Sequence, residues 1–133
     1  MPSKKPIYKK PYEPVTEVGE SAWFGNDTPV MESDFTFVFN DKYPCVPGHR
    51  LFIPKENNAH FVGRSYGMAY DYGNEKIRKG EIDGFNVGMN IGVPAGQTIM
   101  WPHIHFIPRH KDDSPKIGGI RHANPNGDHK KYY

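Results

Sequence analysis

Residues 101–105, Trp101-Pro102-His103-Ile104-His105, set two imidazoles two positions apart, and Phe106-Ile107-Pro108-Arg109 follows directly. Extended backbone sends alternate side chains to opposite faces, so Trp101, His103 and His105 share one face while Pro102, Ile104 and Phe106 take the other. A neutral imidazole near pH 7 can act as nucleophile, proton carrier or metal ligand. Just upstream, Gly96-Gln97-Thr98 offers backbone and side-chain donors, a combination suited to a negatively charged tetrahedral group. Three chemistries could use the pair. A metal site needs at least a third ligand and an orienting shell, and the usual His-x-His pattern with a Glu three or four residues later is absent. A nucleophilic cysteine needs a base beside it; the only candidate, Cys45, lies between Pro44 and Val46 and reads as a buried, inert thiol. The third is imidazole attack on phosphorus, with neighbouring donors holding the phosphoryl oxygens.

These side chains need strands to hold them. In 34–40 the alternation puts Phe35, Phe37 and Phe39 on one face of a half-buried strand. Pro44, Pro47 and Gly48 force a turn into a second strand, Arg50 to Ile53, which Pro54 ends, so the two form an antiparallel pair. From 61 to 79, Val62, Tyr66, Ala69, Tyr70 and Ile77 fall at helical spacing, weakened by Gly63, Gly67 and Gly73. A strand over 85–89 follows Asp83-Gly84, and the loop at Gly92, Pro94 and Gly96 leads into a strand over 97–107. Pro102 removes a ladder donor and places that strand at an edge or a bulge. The fold class is therefore α+β, an antiparallel sheet with one main helix packed on it.

Length and composition agree with one small domain. The 133 residues contain no repeat, and no apolar run approaches the roughly 20 residues of a membrane span. A single cysteine excludes an internal disulfide, and Met1-Pro2-Ser3-Lys4-Lys5 does not lead into a secretion signal, so a soluble protein of the reducing cytoplasm is expected. Four lysines against Glu13 give residues 1–14 a net +3, which leaves −1 for the remainder of a chain whose total is +2. Residues 1–14 read as a disordered, basic, proline-rich tail able to touch a polyanion, and 15–133 as the domain, ending in an extended C-terminal segment.

Two blocks of this sequence resemble a known family. The run 90–109, from Asn90 through Gly96-Gln97-Thr98 to His103-Ile104-His105 and Pro108-Arg109, is similar to the signature of the histidine-triad (HIT) nucleotide hydrolases and transferases. The run 37–55, with Phe39-Asn40-Asp41-Lys42 and Pro47-Gly48-His49, is similar to that family's nucleoside-binding hairpin, and Gly118-Gly119-Ile120-Arg121 is like the tail of many bacterial and phage members. By this resemblance His103 attacks the α-phosphorus, oriented by a backbone carbonyl, and His105 hydrogen-bonds phosphate. Gln97 and Thr98 bind phosphoryl oxygens beside Gly96, and Asn90 lies on the phosphate side. Asp41 holds the ribose, Phe39 and Lys42 flank the base, and His49 supports the site. The resemblance implies a nucleotide substrate, no metal or other cofactor, and a homodimer in which the helix and its adjoining strand meet across a two-fold axis.

One position departs from the pattern. The family's first histidine is replaced by Trp101, placed at the pocket edge, whose indole N–H can donate but cannot carry a proton. General-acid help is worth roughly 10²–10⁴-fold, so the resemblance implies either cleavage at the α-phosphate of a dinucleoside polyphosphate or nucleoside phosphoramidate, narrowed to good leaving groups such as a polyphosphate or an acyl-phosphate tail, or a weakened nucleotide-binding module acting through a partner. A metal held by the histidine pair is the third possibility.

Overall fold

A computed structural model of the chain describes residues 12–25, 27–113 and 118–127. Five strands form one antiparallel sheet: β1 (Met31–Glu32), β2 (Thr36–Asn40), β3 (Arg50–Pro54), β4 (Gly84–Gly88) and β5 (Ile104–Arg109), in the spatial order β1-β2-β3-β5-β4. A single long helix, α1 (Ala59–Arg78), packs on one face. It begins two residues before the expected start because Asn58 caps it, its side chain accepting from the Phe61 N–H at 2.9 Å. β1 went unforeseen, since two residues carry no alternation to read.

The register explains which face does what. Val38, Phe52, Ile104 and Phe106 point toward α1 and close the main core with Ala69. The opposite face carries Phe39, Leu51, Ile53 and Trp101, covered by Trp23 and Phe24 from the N-terminal segment. Both faces of β2 are thus covered: Phe37 and Phe39 of the phenylalanine stripe pack on Phe24 of that segment, while Phe35, just before the strand, packs on His60 and Phe61 at the start of the helix. Along one row Phe39 pairs with Leu51, Leu51 with His105, and His105 with Gly88, which carries the site face across four strands.

α1 lies close to β4 because of one glycine. A Cβ at Gly73 would stand 2.4–2.6 Å from the Phe85 ring, whereas Gly63 and Gly67 face open space. The glycine that appeared to weaken the helix is the one that allows it to dock.

The last strand is shorter than expected and is not an edge. β5 starts at Ile104, after Pro102, and lies between β3 and β4; Pro102 sits buried in the approach, where its missing N–H costs no ladder bond. The basic tail lies outside the described residues up to position 11. Residues 12–14 belong to the folded body: the Tyr12 N–H donates to the Thr98 carbonyl at 2.8 Å, and Pro14 bridges Met100. Beyond β5, Gly118 to Gly127 contains a short 3-10 turn, Ile120–Ala123. Among the described residues no helix is long and apolar enough to cross a membrane.

Candidate active site

His105 reaches the site from the centre of the sheet, on β5. His49 arrives from the start of β3, delivered by the turn at Gly48, whose φ of +90° suits glycine. Asp41 follows β2, its backbone N–H donating to the His49 carbonyl at 3.0 Å. The three converge: His49 Nε2 lies 2.9 Å from His105 Nδ1 and 3.2 Å from Asp41 Oδ2, and His105 Nδ1 lies 3.8 Å from the same oxygen. The His103 ring centroid is 5.4 Å from that of His105.

Fixed donors assign the protons. The Cys45 backbone N–H can only donate, and it points at His49 Nδ1 at 3.2 Å, so the proton of neutral His49 is on Nε2. His49 then donates to His105 Nδ1, which leaves the His105 proton on Nε2. The Trp101 carbonyl can only accept, and His103 Nδ1 lies 2.7 Å from it, so the lone pair of His103 is on Nε2. All three rings are held neutral. Burial lowers the pKa of His103 and of His49, against the pull of the Asp41 carboxylate. Burial and then the neighbouring His103 and His49 bring His105 down to about 4.

Asp41, His49 and His105 also present three ligand atoms within 4.8 Å of one another, a set that could hold a metal. The proton on His49 Nε2 opposes this, because ligation there would require the other tautomer, whose Nδ1–H would face the Cys45 N–H.

The remaining expected residues are placed as follows. Asn90 lines a cavity beside His49 and His105, and its amide lies against Gly96, where a Cβ would meet it at 3.8 Å. Gln97 is committed to its own loop: Oε1 accepts from the Gly92 N–H at 2.8 Å and Nε2 donates to the Ile99 carbonyl at 3.0 Å. Thr98 is exposed. Lys42 pairs with Asp27 at 2.8 Å on the rim.

Three expectations are corrected. Trp101 is not at the pocket edge: it is 3% exposed, packed with Phe39, Leu51 and Ile53, and its Nε1–H donates to the Pro54 carbonyl at 2.9 Å. Phe39 offers no free face to a base, because Phe24 packs edge-on against it at 5.4 Å and no part of it is exposed. Cys45 is exposed rather than buried, since the turn that carries it stands clear of both cores.

One residue of the site escaped the sequence reading. Trp23 packs on His103 with ring centroids 5.0 Å apart. The adjacent aromatics Trp23-Phe24 were the available signal, but no alternation around them says which face they cover.

Comparison with known proteins shows the family and the fold. The HIT domain model matches residues 26–112. A HIT-like protein of Saccharolobus solfataricus is 32% identical over 92 residues, covering 63% of this chain and 66% of that protein. An adenylylsulfatase of Arabidopsis thaliana is 33% identical over 91 residues, covering 63% of this chain and 46% of that protein. The chain thus spans just under two thirds of the first relative and under half of the second. A crystal structure of a HIT family protein from Bacillus anthracis superposes with a TM-score of 0.57 at 25% identity, over 80% of this chain and 76% of that one.

Proposed function

The chain belongs to the HIT domain family, and on that premise we propose that it is a nucleotide hydrolase cleaving at the α-phosphate through a nucleotidyl intermediate on His103. The observation that carries the reading is the 2.7 Å contact from His103 Nδ1 to the Trp101 carbonyl, which leaves Nε2 unprotonated for attack. That a relative is an adenylylsulfatase supports nucleotide hydrolysis in general terms.

The Nε2 lone pair forms a bond to phosphorus while the bond to the leaving group breaks, its electron pair passing to the departing atom. The ring then carries a positive charge, which the Trp101 carbonyl stabilises through Nδ1–H. Water next attacks phosphorus, the P–N bond breaks with its pair returning to Nε2, and the proton from water goes to solvent. The product is a nucleoside monophosphate. His105 Nε2–H donates to a phosphoryl oxygen, held in that tautomer by His49. Asn90 and the Gly96-Gln97-Thr98 loop bound the phosphate side, with the Gln97 amide shaping the loop. Asp41 holds the ribose, and Phe24, which covers Phe39, takes over its place beside the base, with Lys42 at the rim. The imidazole and loop donors neutralise charge without a metal or other cofactor.

Incubation with dinucleoside polyphosphates and nucleoside phosphoramidates should yield nucleoside monophosphate, and acid-quench mass spectrometry should find the nucleotidyl group on His103. Turnover without that adduct would point to different chemistry. The locked indole of Trp101 favours a second reading, a weakened nucleotide-binding module recruited through its basic tail to a polyanionic partner. A mononucleotide that binds wild type and His103→Ala equally, with no substrate turned over, would establish it. The homodimer expected from the resemblance belongs to either reading, and sedimentation equilibrium tests it.

A further inference from the structure

Two cavities lie back to back on the sheet. One opens beside His49 and His105 under the Gly118 to Ala123 segment, and among the described residues no Lys, Arg, Asp or Glu lines it. The other, of about 220 Å³, opens on the α1 side and gathers charge: Arg50 from β3, Lys76 from α1, Glu81 from the turn after the helix, and His110, which follows β5. Strand alternation keeps the two apart. Gly48 and Arg50 line the second cavity while His49, between them, lines the first; Phe106 and Pro108 line the second while His105 and Ile107 line the first. A group held in the second cavity is therefore across the sheet from the His49–His105 pair, and the mechanism above makes no use of it.

Arg50 and Lys76 are anchored on one ring. The guanidinium carbon stands 5.3 Å and the Lys76 ammonium 5.1 Å from the Tyr72 centroid, and that ring is itself packed on Phe52 and Phe106. The Arg50 backbone is fixed as well, paired in the sheet with Asn40 of β2 and Phe106 of β5. Cation–π contact favours each cation singly, but together they hold two like charges beside one point, an arrangement that needs negative charge to balance it. Glu81 answers one of the two, its Oε2 accepting from Lys76 Nζ at 2.9 Å. Among the described residues no carboxylate pairs with Arg50. One positive charge is thus left over in a preformed hollow.

We infer that this hollow is a phosphate-binding site separate from the active site, with Arg50 as its fork and Lys76 and His110 as flanking donors. The three come from three elements and so approach from different directions. A carboxylate presents two oxygens in one plane, whereas a phosphate presents oxygens in tetrahedral directions, two of which match the guanidinium fork. The volume limits the rest of the ligand. Sites that enclose drug-sized molecules run from about 300 Å³ upward, so a phosphate group fits here and a whole nucleotide does not. Inorganic phosphate and the phosphate of a short ester share this chemistry, and the test separates them. The site stands independently of the hydrolase reading.

The experiment is an NMR titration of the isotopically labelled full chain with inorganic phosphate, glycerol phosphate and acetate at constant ionic strength. The expected result is saturable shifts at Gly48, Arg50, Lys76 and His110 with a phosphate Kd below about 1 mM, and acetate weaker by about tenfold or more. Tighter binding of the ester makes the ligand a phosphate ester; equal or weaker binding makes it the free ion. Arg50→Gln should weaken phosphate binding by about tenfold or more, and Arg50→Lys, which keeps the charge without the fork, by less. Glu81→Gln should tighten it by freeing Lys76, a gain that a misfolded variant cannot produce. His103→Ala should leave the curve where it is. Shifts confined to Gln97, Thr98 and His103, an equal response to acetate, no saturation, or a curve that neither Arg50→Gln nor Glu81→Gln moves would each overturn the site.

Discussion

His103 and His105 are both neutral for the same reason, burial, yet their lone pairs are directed differently. A carbonyl at 2.7 Å takes the Nδ1 proton of His103, while His49 donates to Nδ1 of His105. One ring is left with an Nε2 lone pair and the other with an Nε2–H donor. Replacing His103 by Ala should lower nucleotide release by more than about 10³-fold with the fold intact, as circular dichroism and single-turnover kinetics would show. The lowered pKa values have a second consequence. In the unfolded chain these histidines titrate near 6.5, and in the folded protein lower, His105 at about 4. The unfolded state therefore binds more protons between these values, so the contribution to stability is complete above pH 6.5 and is lost as pH falls toward 4. Thermal melts from pH 7.5 to 4 should show this slope, and His105→Gln should reduce it; an unchanged slope would contradict the neutral assignment. The tautomer of His49 gives one more expectation, that purified protein contains no stoichiometric zinc or iron by elemental analysis.

At the scale of elements, the sheet presents the site and α1 supports it from behind. The contact depends on Gly73, where the Phe85 ring occupies the space of a side chain. Gly73→Ala should destabilise the protein by about 1–3 kcal/mol through overpacking. Gly63→Ala, on the same helix but facing open space, should stabilise it by about 0.4–1 kcal/mol through helix propensity and a less flexible unfolded chain. Urea titration of both variants checks the pair, and equal effects would mean that the helix docks differently. Trp101 illustrates the same dependence from the site side. Alternation correctly set it on the face of His103, but only the packing of Leu51, Ile53 and Phe39 around it shows that the face is closed at that point.

At the scale of the whole molecule, residues 12–25 act as a strap over His103. Tyr12 and Pro14 tie it to Thr98 and Met100, and Trp23 covers His103, which is 8% exposed. Trp23→Ala should cost about 3–5 kcal/mol of stability, the range for a large buried aromatic. It should also raise the His103 pKa toward 6.5 in an NMR titration, because water regains access to the ring. A loss of stability with an unmoved titration would mean that the strap holds the fold without shielding His103.

Local pattern alone identified the strand pairing of β2 and β3, the single helix, the shared face of Trp101, His103 and His105, and, through two ordered blocks, the family. Alternation, turn residues and spacing are properties of neighbours in the chain, so they are readable there. The orientation of each imidazole proton, the burial of Trp101 and Phe39, the exposure of Cys45 and the cavity under Gly118 to Ala123 were decided by the tertiary structure. Each depends on a partner 2 to 56 positions away, such as Trp101 for His103, Cys45 for His49 and His49 for His105, or on a segment whose sequence does not announce the surface it covers. Spacing can bring two histidines to one face, but the directions of their lone pairs are set by the carbonyls and N–H groups that folding brings beside them.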